Sequence, residues 1–368
     1  MFIRNCWYVI AWDHEVPADG LFTRTVIGEP VLLFRKAGGA IVALEDRCCH
    51  RHAPLSKGRK EGECVRCGYH GLKFDATGTC IEAPGLDAVP PKAMVRSYPV
   101  AVKNKWVFVW MGEPALARTE SLPDNFSCDH PDWNYLPGYL HYETDYLLIA
   151  DNLLDFSHLS YVHEKTLGGS TAIAQAKPTI EKITHGIRVT RRVPNVPPPG
   201  YYQRMRKFDG YVERWFIYDF VLPGTLLMHS GGRPTGDAPD DMSRAVRLHS
   251  CQALTPESGT TTHYFFQQAH RVGQGDSSIA KIIHDALVVA FHEDRDMITA
   301  QARNIALNPQ ASMLPLAMDS ALTQFRRLVA QAIEVERSPA GATYPGDALA
   351  TAQPRPDLAD ATTVSAPT

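Results

Sequence analysis

No stretch of this chain approaches the roughly eighteen uninterrupted apolar residues that a membrane-spanning helix requires. Charge of one sign is also missing. Lys and Arg number 37 against 40 Asp and Glu, a formal net charge of −3, so no basic field points to nucleic acid or to an anionic membrane surface. The opening residues, MFIRNCWYVIAWDHEVP, lack a basic segment leading into an apolar one, and the expectation is a soluble, cytoplasmic protein. There is no G-x-G-x-x-G fingerprint in a strand–turn–helix setting, so the chain is not expected to collect electrons from NAD(P)H itself. Internal repeats are absent too. With 368 residues there is room for two domains with sizeable cores, and small molecules are the expected partners.

Cysteine is present, and its placement is informative. Cys48-Cys49-His50 is followed, after sixteen residues, by Cys67-Gly68-Tyr69-His70. Two thiolates and two imidazoles suit a tetrahedral zinc or a 2Fe-2S cluster with two Cys on one iron and two His on the other. Zinc sites usually pair Cys with Cys and His with His along the chain. Here each half supplies one of each, the order that chemically distinct irons need. Cys49 and Cys64 are rivals by proximity, but neither completes the order. Cys6, Cys80, Cys128 and Cys251 read as small buried hydrophobes.

The elements suggest an α+β chain with two domains. Residues 1–118 show short β-branched and aromatic runs split by turns, such as 30–34, 41–44 and the hairpin 100–110, and read as all-β. Residues 119–337 read as a catalytic domain in which an antiparallel sheet (210–221, 225–230, 245–253, 260–268) is covered by helices at 277–304 and 319–334. The tail, 338–368, is rich in Ala, Pro, Thr and Asp and is expected to be disordered.

A second constellation lies in the segment 151–163. Asn152, Asp155 and His158 follow at i+3 steps along one helix face. His163 lies about 140° further round an ideal helix, so both imidazoles reach one metal only if the helix ends or widens, and the distortion is expected at 160–162. Two His and one carboxylate form the facial triad of non-haem Fe(II) sites. Candidate carboxylates lie in His292-Glu293-Asp294-Arg295-Asp296. Asp155 is also placed to hydrogen-bond a ligand imidazole.

The stretches RCCHRHAPL (47–55) and CGYHGLKFD (67–75) closely resemble the two ligand loops of Rieske iron–sulfur domains. The pattern N-x2-D-x2-H-x4-H at 152–163, with Glu293-Asp294 further on, closely matches the iron-binding segments of Rieske non-haem iron oxygenases. This resemblance spans nearly the whole chain and is strongest to monooxygenase subunits of the vanillate and dicamba O-demethylase kind. It implies an N-terminal Rieske domain, with Cys48 and Cys67 on one iron of the cluster and His50 and His70 on the other. It also implies a mononuclear Fe(II) on His158, His163 and Asp294, with Glu293 and Asp296 as rivals for the third ligand. Asn152 and Asp155 would be active-site residues, and Asp155 would link His158 to His70 of the partner subunit in a homotrimer. A separate NAD(P)H-dependent reductase carrying flavin and an iron–sulfur centre is implied. The implied reaction uses O2 to hydroxylate a methoxylated aromatic, releasing formaldehyde. Alternatives on the same iron site are N-demethylation, methyl-group hydroxylation and ring dihydroxylation, and an electron-transfer protein using the cluster alone is the non-enzymatic alternative. For an anionic aromatic substrate, Arg204, Arg206, Arg247 and His249 are the candidate contacts.

Overall fold

A computed structural model of the chain describes residues 1–164, 166–273 and 278–337. The tail 338–368 and the expected helix start at 277 lie outside the described residues. The N-terminal part is all-β. Trp7–Trp12 pairs with Trp106–Trp110, which pairs with Val100–Lys103. A second sheet runs Phe22–Val26, Glu29–Arg35, Ile41–Glu45, Ser97–Tyr98, and a third runs Arg59–Glu61, Cys64–Arg66, Lys73–Phe74, Cys80–Glu82. The expected hairpin at 100–110 is there, with Asn104 and Lys105 at positive φ in its two-residue turn.

The C-terminal part is an eight-stranded antiparallel sheet. Trp133–Asn134 and Gly138–Tyr142 both pair with Thr262–Arg271. The order then continues through Val246–Pro256, Thr225–Pro234, Val212–Val221, Gly186–Val196 and Thr179–Ile183. Among the described residues five α-helices accompany it: α1 (Tyr146–Leu154), α2 (Thr171–Gln175), α3 (Gly200–Met205), α4 (Ile279–Leu307) and α5 (Ser320–Arg337).

Alternation along the long strands divides the sheet into two faces. Cross-strand register puts Phe216, Ser230, Leu248 and His270 in one row, and Tyr218, Met228, Ser250 and Gln268 in the next, all on the face toward the helices. Leu227, Cys251, Ala253 and Phe265 point the other way, where they pack with Trp7, Trp12, Trp106, Phe108 and Trp110 of the N-terminal part. The indole of Trp12 donates to the Gly138 carbonyl (3.0 Å), and the Thr255 hydroxyl donates to the Val9 carbonyl (2.6 Å). An aromatic seam therefore holds the two parts together, and it is dominated by large, deeply buried rings. Cys6, Cys80, Cys128 and Cys251 are all buried, as small hydrophobes are.

Two candidate metal centres

The first centre lies between two loops. Cys48–His52 follows the strand Ile41–Glu45, and Cys67–Gly71 joins Cys64–Arg66 to Lys73–Phe74. Each loop is a tight turn closed on its own cysteine: Cys48 O accepts from His52 N–H and Cys67 O from Gly71 N–H. Glycine permits their close approach. A Cβ on Gly58 would stand 2.0 Å from Arg66 O, and one on Gly68 would stand 2.7 Å from Lys57 O. Asp46 braces the first loop by accepting from the Ser56 amide (2.7 Å) and hydroxyl (2.6 Å).

Cys48 and Cys67 are each 2 % exposed, while His50 and His70 are exposed, with ring centroids 4.6 Å apart. Burial, followed by the neighbouring Cys67 sulfur, pushes the Cys48 thiol up to about 11. Two buried thiols side by side are costly to ionise without a cation between them. Two sulfur donors inside and two imidazoles outside match the donor set of a 2Fe-2S group with unlike irons. Cys49 and Cys64, by contrast, are only half-buried.

The second centre is built by α1, the turn after it, and α4. The nitrogens of His158 and His163 and a carboxylate oxygen of Asp294 lie within 4.8 Å of one another. The expectation of one helix face through His158 is corrected, because α1 ends at Leu154. Asp155 leaves helical geometry (φ −121°, ψ 90°) and caps a 3₁₀ turn over Phe156–Ser160. Its carboxylate is occupied locally, accepting from the Ser157 amide (2.9 Å) and hydroxyl (2.7 Å). The Asp155 main-chain carbonyl, not its side chain, meets His158 Nδ1 at 2.6 Å. The 3₁₀ turn stops at Ser160, inside the region where distortion is expected, and both Tyr161 and Val162 amides return to His158 O.

On α4, the buried stripe Ile279, Ile283, Leu287, Phe291, Asp294, Ile298 places the aspartate where an apolar residue would normally sit. Asp296 is exposed and His292 half-buried. Asp294 Oδ1 lies 3.1 Å from His163 Nε2 and 3.5 Å from His158 Nε2, and it accepts from Asn152 Nδ2 at 3.1 Å. Glu293 turns to the far side of His163, its Oε2 meeting Nδ1 at 2.8 Å while accepting from the Thr166 hydroxyl at 2.8 Å. Each Nδ1 is thus engaged, and each Nε2 is left facing the carboxylate, the arrangement in which imidazoles bind a metal. Burial lowers the His158 imidazole despite the Asp294 charge. For His163 burial also acts downward, but its bonds to Asp294 and Glu293 outweigh it and the imidazole is raised.

A cavity open to solvent adjoins this triad. Phe156, Phe216, Phe291 and Leu287 wall it, with Tyr201, Arg214, Ser230, Gln252 and Gln268 adding polar groups. The candidate substrate contacts Arg204, Arg206, Arg247 and His249 are not among its lining residues, and that expectation is corrected. Arg204 is exposed on α3. Arg247 and His249 alternate with Leu248 and Ser250 and so take the opposite face of the sheet. His249 is buried there, bonded to the Ser127 hydroxyl (2.8 Å) and packed on Phe126. Arg214, Gln252 and Gln268 went unrecognised. A signal existed for Arg214, since it interrupts the alternating apolar stripe Val212, Phe216, Tyr218, Phe220.

Comparison with known proteins agrees with this geometry. The family model for the vanillate O-demethylase oxygenase C-terminal domain matches residues 142–335, and that for the Rieske 2Fe-2S domain matches 6–99. The iron–sulfur subunit of a toluene-4-sulfonate monooxygenase system from Comamonas testosteroni is 46% identical, over 94% of this chain and 100% of the relative. The vanillate O-demethylase oxygenase subunit of a Pseudomonas species is 30% identical over 93% and 98%. Among solved structures, dicamba monooxygenase bound to dicamba superposes with a TM-score of 0.83 at 28% identity, covering 91% of this chain and 98% of that one. No helix among the described residues is long and apolar enough to cross a membrane.

Proposed function

The chain belongs to the Rieske non-haem iron oxygenases, as the oxygenase component of a multicomponent monooxygenase with a 2Fe-2S cluster and a mononuclear iron, and from that membership we propose that it hydroxylates the methyl carbon of a methoxylated aromatic. The observation that carries the reading is the convergence of His158, His163 and Asp294 at the wall of an aromatic-lined cavity. Cys48, Cys67, His50 and His70 hold the cluster in this reading, and His158, His163 and Asp294 hold the iron. Together these groups supply one-electron transfer and O2 activation.

The remaining work belongs to the protein's own side chains. Asn152 and Glu293 fix the orientation of Asp294 and His163. Phe156, Phe216 and Phe291 exclude water and hold an aromatic ring beside the triad. Addition of one oxygen atom to Ar–O–CH3, with two electrons and two protons reducing the other atom to water, gives a hemiacetal that collapses to a phenol and formaldehyde. The electrons come from a separate NAD(P)H-dependent reductase, and the exposed edge formed by His50 and His70 supports entry and exit at the surface. The domain limits that accompany this reading are 1–118 and 119–337, and a homotrimer in which Asp155 connects neighbouring centres is its assembly.

A second reading, hydroxylation of a ring-bound methyl group, is favoured by the 46% identity to a toluene-4-sulfonate monooxygenase subunit. The two separate on product. With reductase, NADH and O2, aryl methyl ethers should yield formaldehyde and a phenol in step with O2 uptake, whereas aryl methyl groups yield benzylic alcohols. Benzylic alcohols with no formaldehyde from any ether would transfer the assignment to the second reading, and cis-diols would overturn both.

A further inference from the structure

Three arginines in the described core are almost fully buried, Arg191, Arg214 and Arg233, at 3 %, 1 % and 3 % exposure. Arg233 has Glu213 at 2.7 Å and Arg191 has Asp155 at 3.7 Å. No carboxylate among the described residues forms an ion pair with Arg214. Its Nη1 donates to the Gly168 carbonyl at 3.1 Å, and its guanidinium lies over the rings of Tyr202 (5.5 Å) and Phe216 (5.1 Å). Its buried Nε has no hydrogen-bond partner. A charge removed from water without a counter-charge is costly and is normally paired or occupied by a ligand.

Arg214 lines the same cavity as the metal triad. Among the described lining residues Asp294 is the only carboxylate, and it is committed to His163 and Asn152. The other polar lining near the sheet consists of Ser230, Gln252 and Gln268. The two glutamine oxygens already accept from the Tyr264 and Ser250 hydroxyls (2.6 and 3.1 Å), so their amide N–H groups are the functions left to offer. Between the cation and the triad the wall is aromatic: Phe216 packs edge-on against Phe156 (5.6 Å), and Phe156 against His158 (6.4 Å). A cationic station, an aromatic wall and a metal station thus follow one another along a single cavity.

We propose that Arg214 binds the anionic substituent of the substrate, a carboxylate or a sulfonate on an aromatic ring, and so directs the ring's methyl-bearing end toward His158, His163 and Asp294. The proposal rests on the oxygenase reading and sharpens its substrate class to anionic aromatics. A guanidinium suits this task because its planar fork meets two oxygens of either oxyanion at once.

The test is ligand titration of the metal-loaded protein by calorimetry under argon, using 4-methoxybenzoate and 4-toluenesulfonate beside their neutral amides. Each titration is paired with separate O2-uptake and formaldehyde assays. In the unaltered protein at least one acid should bind about tenfold or more tighter than its amide, and which acid does so tells carboxylate from sulfonate. Arg214→Gln should weaken that acid by about 30-fold, the scale of a lost charge-assisted contact, while its amide stays within about threefold. Arg214→Lys should keep most of the preference, and it stands in should the glutamine variant fail to fold. The assignment is overturned if neither acid is preferred in the unaltered protein, if Arg214→Gln weakens acid and amide alike, or if the acid's affinity does not change. Acid binding without formaldehyde would sink O-demethylation and leave Arg214 in place. Formaldehyde from neutral ethers with no preference for acids would do the reverse.

Discussion

Glu293 and Asp294 are neighbours on α4, but a helix turns about 100° between successive residues, so one carboxylate faces the cavity and the other reaches round to the outer nitrogen of His163. The sequence alone left them as rivals for a single role. In the structure they take opposite sides of the His163 ring, with Asp294 facing Nε2 and Glu293 bonded to Nδ1, so in the proposed site Asp294 would hold the metal. Removing the outer carboxylate removes the group that fixes the His163 ring, without removing a donor to the metal. Glu293→Gln should therefore weaken iron retention by about 10- to 100-fold while the cluster's visible absorption is unchanged. Chelator competition followed by ferrous-iron assay measures this, and loss of the cluster as well would indicate general unfolding.

Strands and helices set which residues meet, and here the sequence was partly legible. The i, i+4 stripe of α4 and the alternation of the central strands were readable because each element buries one face. The ends of α1 were not, because Asp155 competes with the helix by capping the next turn, a local choice that periodicity does not register. Thr179–Ile183 and Gly186–Val196, which pair with each other as a hairpin, are not legible as strands because charged residues interrupt their apolar alternation. Arg247 and His249 were placed by region, whereas the pleat decides by single residues.

The same pleat places three histidines on the seam side of the sheet, His249 and His263 buried and His229 half-buried. Burial, then the Arg247 charge, lowers His229 to about 4; burial, then Arg24, lowers His263 to about 4; and burial drives His249 well down. An unfolded histidine titrates near 6.5, so between about pH 6.5 and 4 the unfolded chain binds more protons than the folded one. Stability from these groups is fully present above about pH 6.5 and is lost as pH falls below it, for His229 and His263 on the order of 2 kcal/mol each by the time pH nears 4. Urea midpoints should drop between pH 7 and 5, and His263→Gln should reduce the drop. A flat profile would contradict neutral burial.

At the scale of the whole molecule, the aromatic seam fixes one domain against the other, while the cluster edge, His50 and His70, stays at the surface. An exposed edge suits transfer between subunits. Asp155 is engaged by Ser157 and lies 3.7 Å from Arg191, which holds its carboxylate in a defined place, and the proposed link between neighbouring centres would use it there. Asp155→Asn should keep the cluster and the iron yet lose substrate-coupled turnover by more than about tenfold. Unchanged turnover with full iron would remove that role.

Two separate metal centres in one chain distinguish the proposed oxygenase from a lone cluster protein, and iron counting combined with the cluster's paramagnetic signal separates the two. The reduced protein should contain about three irons per chain and show the rhombic signal of a cluster with mixed Cys and His ligation. His158→Ala should lower the count to about two while that signal persists, because only the mononuclear iron loses a donor. A count that stays at three in His158→Ala, or a signal that disappears with it, would contradict the account.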